Sequence, residues 1–311
     1  MSSRGEPAPV SPDRALYERA KRAAGVSVSV CLPARDEAAT IGSIVAAVRA
    51  ALVDDIGLVD EVVVIDDTSS DETAAIAGAA GARVVAESAI LPEAGRGSGK
   101  GNVLWKSLHE CRGDVICWLD ADLRNFDPSF VAGLVLPLLL DPAVEFVKGF
   151  YRRPYGDEPT GGGRVTELVA RPLLSLLFPK LADIVQPLGG EYAARRRAVE
   201  SVPFVEGWGV ELGLLVDIVE RFGRDAVVQV DLGVREHRNR TIDELAPQAM
   251  AVLATALRRA GLYDAHGSVE LARVADDYAL FTESIETAER PPIITFDAYR
   301  ARFGRDSRAS S

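Results

Sequence analysis

From Val26 onward the chain alternates short β-branched runs with helical patterns, and this alternation restricts the fold more than any other feature. "VSVSVCLPA" (26–34) precedes "EAATIGSIVAAVRAALV" (37–53), "EVVVIDD" (61–67) precedes "DETAAIAGAAG" (71–81), and "ARVVAE" (82–87) precedes "NVLWKSLHEC" (102–111), after which comes "DVICWLDAD" (114–122). Strand followed by helix, repeated, predicts an α/β protein with a doubly wound, mostly parallel sheet and helices on both faces. Ser69 with Glu72, and Thr241 with Glu244, have the spacing of capping boxes and predict helix starts there.

After Asp127-Pro128 the pattern lengthens. "PSFVAGLVLPLLL", "GRVTELVARPLLSLLF" and "GVELGLLVDIVERFG" read as helices, with strand-like "EFVKGFYR" and "AVVQVDLGV" between them. "IDELAPQAMAVLATALRRAG" and "SVELARVADDYALFTESIE" read as two amphipathic helices before a polar tail. The expected organisation is a loose N-terminal lead-in over 1–25 containing a short helix at "RALYERAKRAA", two halves of one domain over 26–127 and 128–240, and C-terminal helices over 241–311.

The chain has 311 residues, a formal net charge of −11 and a sequence pI near 4.9. That balance argues against a nucleic-acid partner or an anionic membrane surface, both of which need clustered Lys and Arg. Cys31, Cys111 and Cys117 lack CxxC spacing and read as core thiols of a reducing compartment. With no apolar leader and no bilayer-length apolar run, the expected location is cytoplasmic, without a membrane partner. The long apolar helices near 165–181 and 209–222 permit a homodimer.

In an open parallel sheet, ligands bind beyond the carboxyl ends of the strands. Three acid-bearing strand ends, "LPARDE", "IDDTSSD" and "LDAD", can therefore line one edge. In an extended strand Asp120 and Asp122 face one side and can approach one hard cation, which would neutralise a diphosphate. The loop "EAGRGSGKGN" between a strand and a helix suits phosphate, with Lys100 as its cation, but also reads as a mobile surface loop; it matches neither a Walker A loop nor GxGxxG. "TGGGRVTEL" sets glycines before Arg164 and Thr166 at a helix start, and "VREHRNR" crowds Arg235, His237, Arg238, Asn239 and Arg240. With "FYRRP", they suggest a basic pocket for a small phosphorylated or carboxylated substrate, although salt bridging to the many carboxylates is the alternative for some of these arginines.

With "CLPARDEAATIG", "VIDDTSSDET" and the DxD at Asp120–Asp122, the sequence resembles the GT-A glycosyltransferases. More narrowly, "GSGKG", "KGFYRRP", "TGGGRVTELVARPLL", "QPLGGEYAARR", "GVELGLLVD" and "LGVREHRNR" resemble segments of the glucosyl-3-phosphoglycerate synthase family, between about Val28 and Arg240. The resemblance implies a metal-dependent hexosyltransferase that moves glucose from UDP-glucose to the 2-hydroxyl of 3-phospho-D-glycerate with retention, using a divalent cation, Mg2+ or Mn2+. It also implies that Pro33, Ala34, Glu37, Asp67, Lys100 and Asp120 serve the nucleotide-sugar donor, and that Asp122 and His237 are metal ligands. Gly163, Arg164, Thr166 and Asn239 are implied around 3-phosphoglycerate, with Glu211 near the reacting sugar in a positioning role.

The chain departs from the family pattern at Arg35, Asp36 and Asp67, all at nucleotide-facing strand ends. The related mannosyl-3-phosphoglycerate synthases, which use GDP-mannose, are thus the nearest alternative. A sugar-phosphate nucleotidyltransferase would place its glycine-rich loop directly after the first strand, where this chain has "LPARDE". A membrane-bound polyprenyl-phosphate glycosyltransferase would need an anchor, and a non-catalytic nucleotide-sugar-binding protein would lack only turnover.

Overall fold

The computed structural model describes residues 13–304 apart from 153, 156–157, 162, 236–240 and 265–266. Its strands are β1 Val28–Ala34, β2 Glu61–Asp66, β3 Arg83–Ala86, β4 Val115–Trp118, β5 Phe146–Arg152, β6 Pro154–Tyr155, β7 Glu158–Gly161, β8 Tyr192–Arg195, β9 Phe204–Val205, β10 Val227–Val234, β11 Ser268–Val274, β12 Leu280–Glu286 and β13 Glu289–Arg290. Seven form the central sheet in the order β10-β5-β8-β4-β1-β2-β3. β1 pairs parallel with β2 and β4, and β2 with β3, as the strand-helix alternation predicts.

The antiparallel member, β8, was not legible in the sequence. It pairs with both β4 and β5 and joins the two halves of the chain into one sheet. With Tyr192, Ala193 and Ala194 buried on both faces, the segment lacks the alternation that marks a half-exposed strand. Tyr192 stacks on Phe146 at 5.3 Å and lies 5.4 Å from Trp118, at the seam.

The helices are α1 Arg14–Ala24, α2 Ile41–Val48, α3 Thr73–Ala79, α4 Gly99–Glu110, α5 Ser129–Leu140, α6 Arg171–Leu177, α7 Arg196–Val199, α8 Val210–Phe222, α9 Ile242–Arg259 and α10 Asp297–Phe303. They cover both faces of the sheet over two large apolar clusters. α1 is docked, with Tyr17 and Ala20 buried in one of them. All three cysteines are buried, matching the expectation of core thiols. Among the described residues no helix is long and apolar enough to cross a membrane.

Three local readings change. The second helix is not opened by a Ser69–Glu72 box: Asp71 Oδ1 instead accepts the Thr73 N–H at 2.9 Å, and Ser69 is drawn to Asp36. The Thr241–Glu244 box is present at α9. Residues 268–286 are no helix but the hairpin β11–β12, whose turn has Tyr278 at φ 64°. Their burial alternates with period two, and Val269 and Ile285 seat the ribbon on a small cluster with Ala251 and Ala254 of α9. α8, which the sequence offered to a dimer face, is committed to the core: Leu212, Leu214 and Leu215 are all buried.

Candidate active site

The carboxyl ends of β1, β2 and β4 meet at one edge of the sheet, and side chains lace their loops together. Asp36 adopts a left-handed conformation at φ 57°, which costs a non-glycine residue about 1 kcal/mol or more. Its carboxylate accepts the Ser70 N–H at 2.7 Å, while its own N–H donates to Ser69 Oγ at 3.0 Å. Glu37 N–H donates to Thr73 Oγ1 at 2.8 Å, and Ala38 N–H to Asp71 Oδ2 at 3.1 Å. Thr40 Oγ1 donates to the Ala121 carbonyl at 2.6 Å, which ties this loop to the DxD.

β4 ends at Trp118, so Asp120 and Asp122 lie in the following turn and not on an extended strand as their spacing suggested. A buried arginine gathers them instead. Arg235 Nη2 lies 3.0 Å from Asp120 Oδ2 and 2.7 Å from Asp122 Oδ1, while Nη1 lies 2.7 Å from Glu191 Oε1 and donates to the Tyr151 hydroxyl at 2.7 Å. On the other side, Lys100 Nζ lies 2.6 Å from Asp120 Oδ1 and 2.8 Å from Glu211 Oε1. Gly190 passes beneath the acid turn where any Cβ would fall 2.2 Å from Asp120 Oδ1.

The charges are strongly perturbed. Burial works to raise the Asp120 pKa, but the Lys100 ammonium and Arg235 guanidinium overrule it and hold the carboxyl below its ordinary range. Burial likewise works to lower Lys100, and Asp120 and Glu211 hold it well above its usual value. Glu37 has no such partner among the described residues: burial first, then the carboxylates of Asp122 and Asp120, push it up to about 7. Lys148 is buried against the Tyr192 ring, its Nζ 4.6 Å from the centroid and donating to the Gly189 carbonyl. Burial brings it down to about 8 despite nearby Glu211.

Two compartments open on this cluster and share Glu37, Lys100, Asp120, Asp122 and Trp208. The smaller, about 360 Å³, runs over the ends of β1 and β2 and is lined by Pro33, Ala34, Arg35 and Asp67. The larger, about 650 Å³, is lined by Gly163, Arg164, Thr166, Glu211 and Arg124, and by Glu244, Leu245, Gln248 and Val252 of α9. The implied donor residues thus line one chamber, and Gly163, Arg164, Thr166 and Glu211 the other. His237 and Asn239 lie outside the described residues.

Sequence reasoning missed several lining groups. Trp208 stands in the turn before α8 and walls both chambers; its setting in "EGWGVE", an aromatic between glycines, was the available signal. Arg235 was grouped with a basic pocket but is spent on acids, the outcome weighed for some arginines of that cluster. α9, expected only as one of the C-terminal helices, lines the larger chamber through Glu244, Leu245, Gln248 and Val252.

Residues 29–201 match the model of Glycosyl transferase family 2. Over 277 residues, 88% of this chain and 90% of the other, the sequence is 50% identical to the glucosyl-3-phosphoglycerate synthase of Mycolicibacterium smegmatis. The chain belongs to the glucosyl-3-phosphoglycerate synthases of glycosyl transferase family 2. Its fold is the α/β GT-A fold of that family. A crystal structure of the glucosyl-3-phosphoglycerate synthase from Mycobacterium tuberculosis with Mn2+, UDP-glucose and phosphoglyceric acid is 45% identical, covers 91% of this chain and 95% of that one, and superposes with a TM-score of 0.81. Another, with Mg2+ and UDP, has the same identity, coverage and TM-score.

The perturbed Glu37 of this synthase gives a pH test. A group whose folded pKa is raised from 4.5 to about 7 stabilises fully below the lower value and loses that contribution as pH rises through the upper one. Glu37→Gln, which cannot ionise, is expected to melt above the unsubstituted protein at pH 8 by about 2 °C, with the difference vanishing near pH 4.5. Thermal melts without nucleotide or metal check this, and a gap that stays constant with pH would return Glu37 to an ordinary carboxylate.

Proposed function

We propose that the protein transfers glucose from UDP-glucose to the 2-hydroxyl of 3-phosphoglycerate, with retention, as a metal-dependent glucosyl-3-phosphoglycerate synthase. The observation that supports this reading best is the shared wall: two chambers of different chemistry meet at Lys100, Asp120 and Asp122. A donor whose diphosphate lies at that wall sends its nucleoside over Pro33, Ala34 and Asp67 and its sugar toward Glu211. The acceptor then enters from the Gly163–Thr166 side, with Arg164 opposite its phosphate and Thr166 beside it, and Asn239 is proposed as a further acceptor contact. Holding both reactants against one wall supplies proximity, which removes much of the entropic barrier.

The carboxylates of Asp120 and Asp122 are hard oxygen donors of the kind a divalent cation takes, although no group of three or more possible ligands is placed to hold one ion among the described residues. Among the described residues, the carboxylates of Asp120, Asp122, Glu191 and Glu211 gather around Arg235 and Lys100, with the Lys148 ammonium buried nearby. Carboxylate oxygens suit Mg2+ and Mn2+. Asp122, the more exposed acid of the pair, and His237 would hold the ion; when bound, it neutralises charge that develops on the departing diphosphate. Lys100 adds a fixed positive charge at the same wall. Glu211, ion-paired with Lys100 at 2.8 Å, positions the sugar through hydrogen bonds and is not assigned as a covalent nucleophile.

The proposed setting is the cytoplasm, supported by three free buried thiols, and the proposed assembly is a homodimer. Leu168 and Leu176, exposed two turns apart along the helical run through α6, support an apolar contact there.

Incubation with 3-phosphoglycerate and either UDP-glucose or GDP-mannose, followed by mass spectrometry, tests the reaction. Glucosyl-3-phosphoglycerate is expected, with UDP-glucose turned over faster; faster turnover of GDP-mannose would install the mannosyl reading, and no product with either would leave a binding protein. Asp122→Ala and His237→Ala are each expected to weaken Mn2+ binding, read by electron paramagnetic resonance, by about 10-fold or more and to abolish transfer. Normal Mn2+ affinity in either would remove that residue from the ligand set. Arg164→Ala is expected to raise the acceptor KM about 30-fold, on the order of 2 kcal/mol, with the donor KM little changed. Equal effects on both constants would move Arg164 out of the acceptor chamber.

A further inference from the structure

Residues Glu289–Pro291 lie far in sequence from the donor chamber and outside the segment matched by the family model, yet they grip the turn that leads into Lys100. Arg290 is buried, at 7% exposure. Its Nε donates to Asn102 Oδ1 at 2.9 Å and lies 2.8 Å from Glu206 Oε1. Nη1 donates to the Ala94 carbonyl at 2.7 Å and Nη2 to the Gly95 carbonyl at 3.2 Å, while the guanidinium lies 5.4 Å from the centroid of the Trp105 ring. The second oxygen of its partner, Glu206 Oε2, accepts the Ser98 N–H at 2.9 Å. One ion pair therefore holds both ends of the turn Ala94–Ser98, immediately before Gly99 and Lys100.

The start of α4 also rests directly on the backbone on either side of Glu206. A Cβ on Gly101 would fall 1.8 Å from the Val205 carbonyl oxygen, so only glycine permits this approach. Gly207 N–H donates to the Ser98 carbonyl at 3.3 Å, and the next residue is Trp208. Trp105 Nε1 closes the arrangement by donating to the Pro291 carbonyl at 2.8 Å. The turn has no ladder of its own to hold it, and a guanidinium with five fixed donors can specify its path where an ammonium cannot.

We propose that Arg290, paired with Glu206, is a positioning residue for the donor: it fixes the turn Ala94–Ser98 so that Lys100 stands at the wall of the donor chamber, and the C-terminal segment is thereby part of the donor site. This rests on the reading of the smaller chamber as the nucleotide-sugar site. Arg290 itself touches no reactant; its effect reaches the donor through the placement of the Lys100 ammonium.

Two full-length variants test it. Arg290→Lys keeps a positive charge opposite Glu206 but cannot span Asn102, Ala94 and Gly95 together. Arg290→Met with Glu206→Gln removes both charges, so neither is left buried alone. In each, UDP affinity measured calorimetrically with Mn2+ is expected to fall about tenfold and the donor KM to rise by a similar factor, while the acceptor KM stays within about twofold. A role confined to stability would lower the amount of active protein and leave both KM values alone. Unchanged UDP affinity in a folded variant, donor and acceptor constants that move together, or failure of both variants to fold would overturn the proposal. Unsubstituted protein that binds UDP but makes no glucosyl product would sink the reaction and leave the UDP measurement as the test of Arg290. Unsubstituted protein that binds no UDP would sink the donor reading and this inference with it.

Discussion

The site depends on one buried guanidinium. Arg235 sits under the acid turn with Asp120, Asp122 and Glu191 around it, and it is the group that brings two carboxylates from an irregular turn to a common position. Removing one partner of such a cluster leaves uncompensated buried charge, at a cost of about 3–5 kcal/mol. Apolar residues of equal volume could pack as well, so the cluster is better understood as a means of specifying geometry than as a source of stability. The carboxylate oxygens it gathers are ones that a binding site for a divalent cation can use.

Around this centre the chain is fastened by contacts between segments remote in sequence. β8 returns antiparallel through the middle of the sheet and places Gly190 and Glu191 beneath the acids. Glu206 and Arg290 secure the loop before Lys100. α9 completes the larger chamber. The apparent division into a nucleotide half, an acceptor half and a C-terminal extension thus runs across the working surface, to which all three contribute residues. An aromatic wall at Trp208 common to both chambers makes the same point, since it can respond to either ligand.

Much of the nucleotide side was legible in the sequence because it is local. β1, β2 and β4 are apolar runs, and their period and length announce buried parallel strands whose carboxyl ends must share an edge. The Thr241–Glu244 box was readable because both partners lie within one turn of helix. Readings failed where a local pattern had two physical solutions. Residues 268–286 suit an amphipathic helix or an alternating ribbon, and packing of Val269 and Ile285 against α9 selected the ribbon. The Ser69–Glu72 spacing was equally suitable, but Asp36 captured Ser69 and the Thr73 N–H turned to the Asp71 carboxylate. The glycine-rich loop could have been mobile; the carbonyl of Val205 against Gly101 and the reach of Arg290 decided otherwise.

By itself, the sequence determined the α/β class, the sheet edge on which the acids lie, and the residue types that a diphosphate and a small phosphorylated acid would require. These follow from hydrophobic period, turn chemistry and charge, which act over a few residues. Tertiary structure decided which charges meet. Arg235 and Asp120 are 115 positions apart and Arg290 and Asn102 are 188 apart, and no short-range pattern encodes such pairings. They arise because the sheet order and the C-terminal return bring those segments together, and because a charge buried there must find a partner of opposite sign.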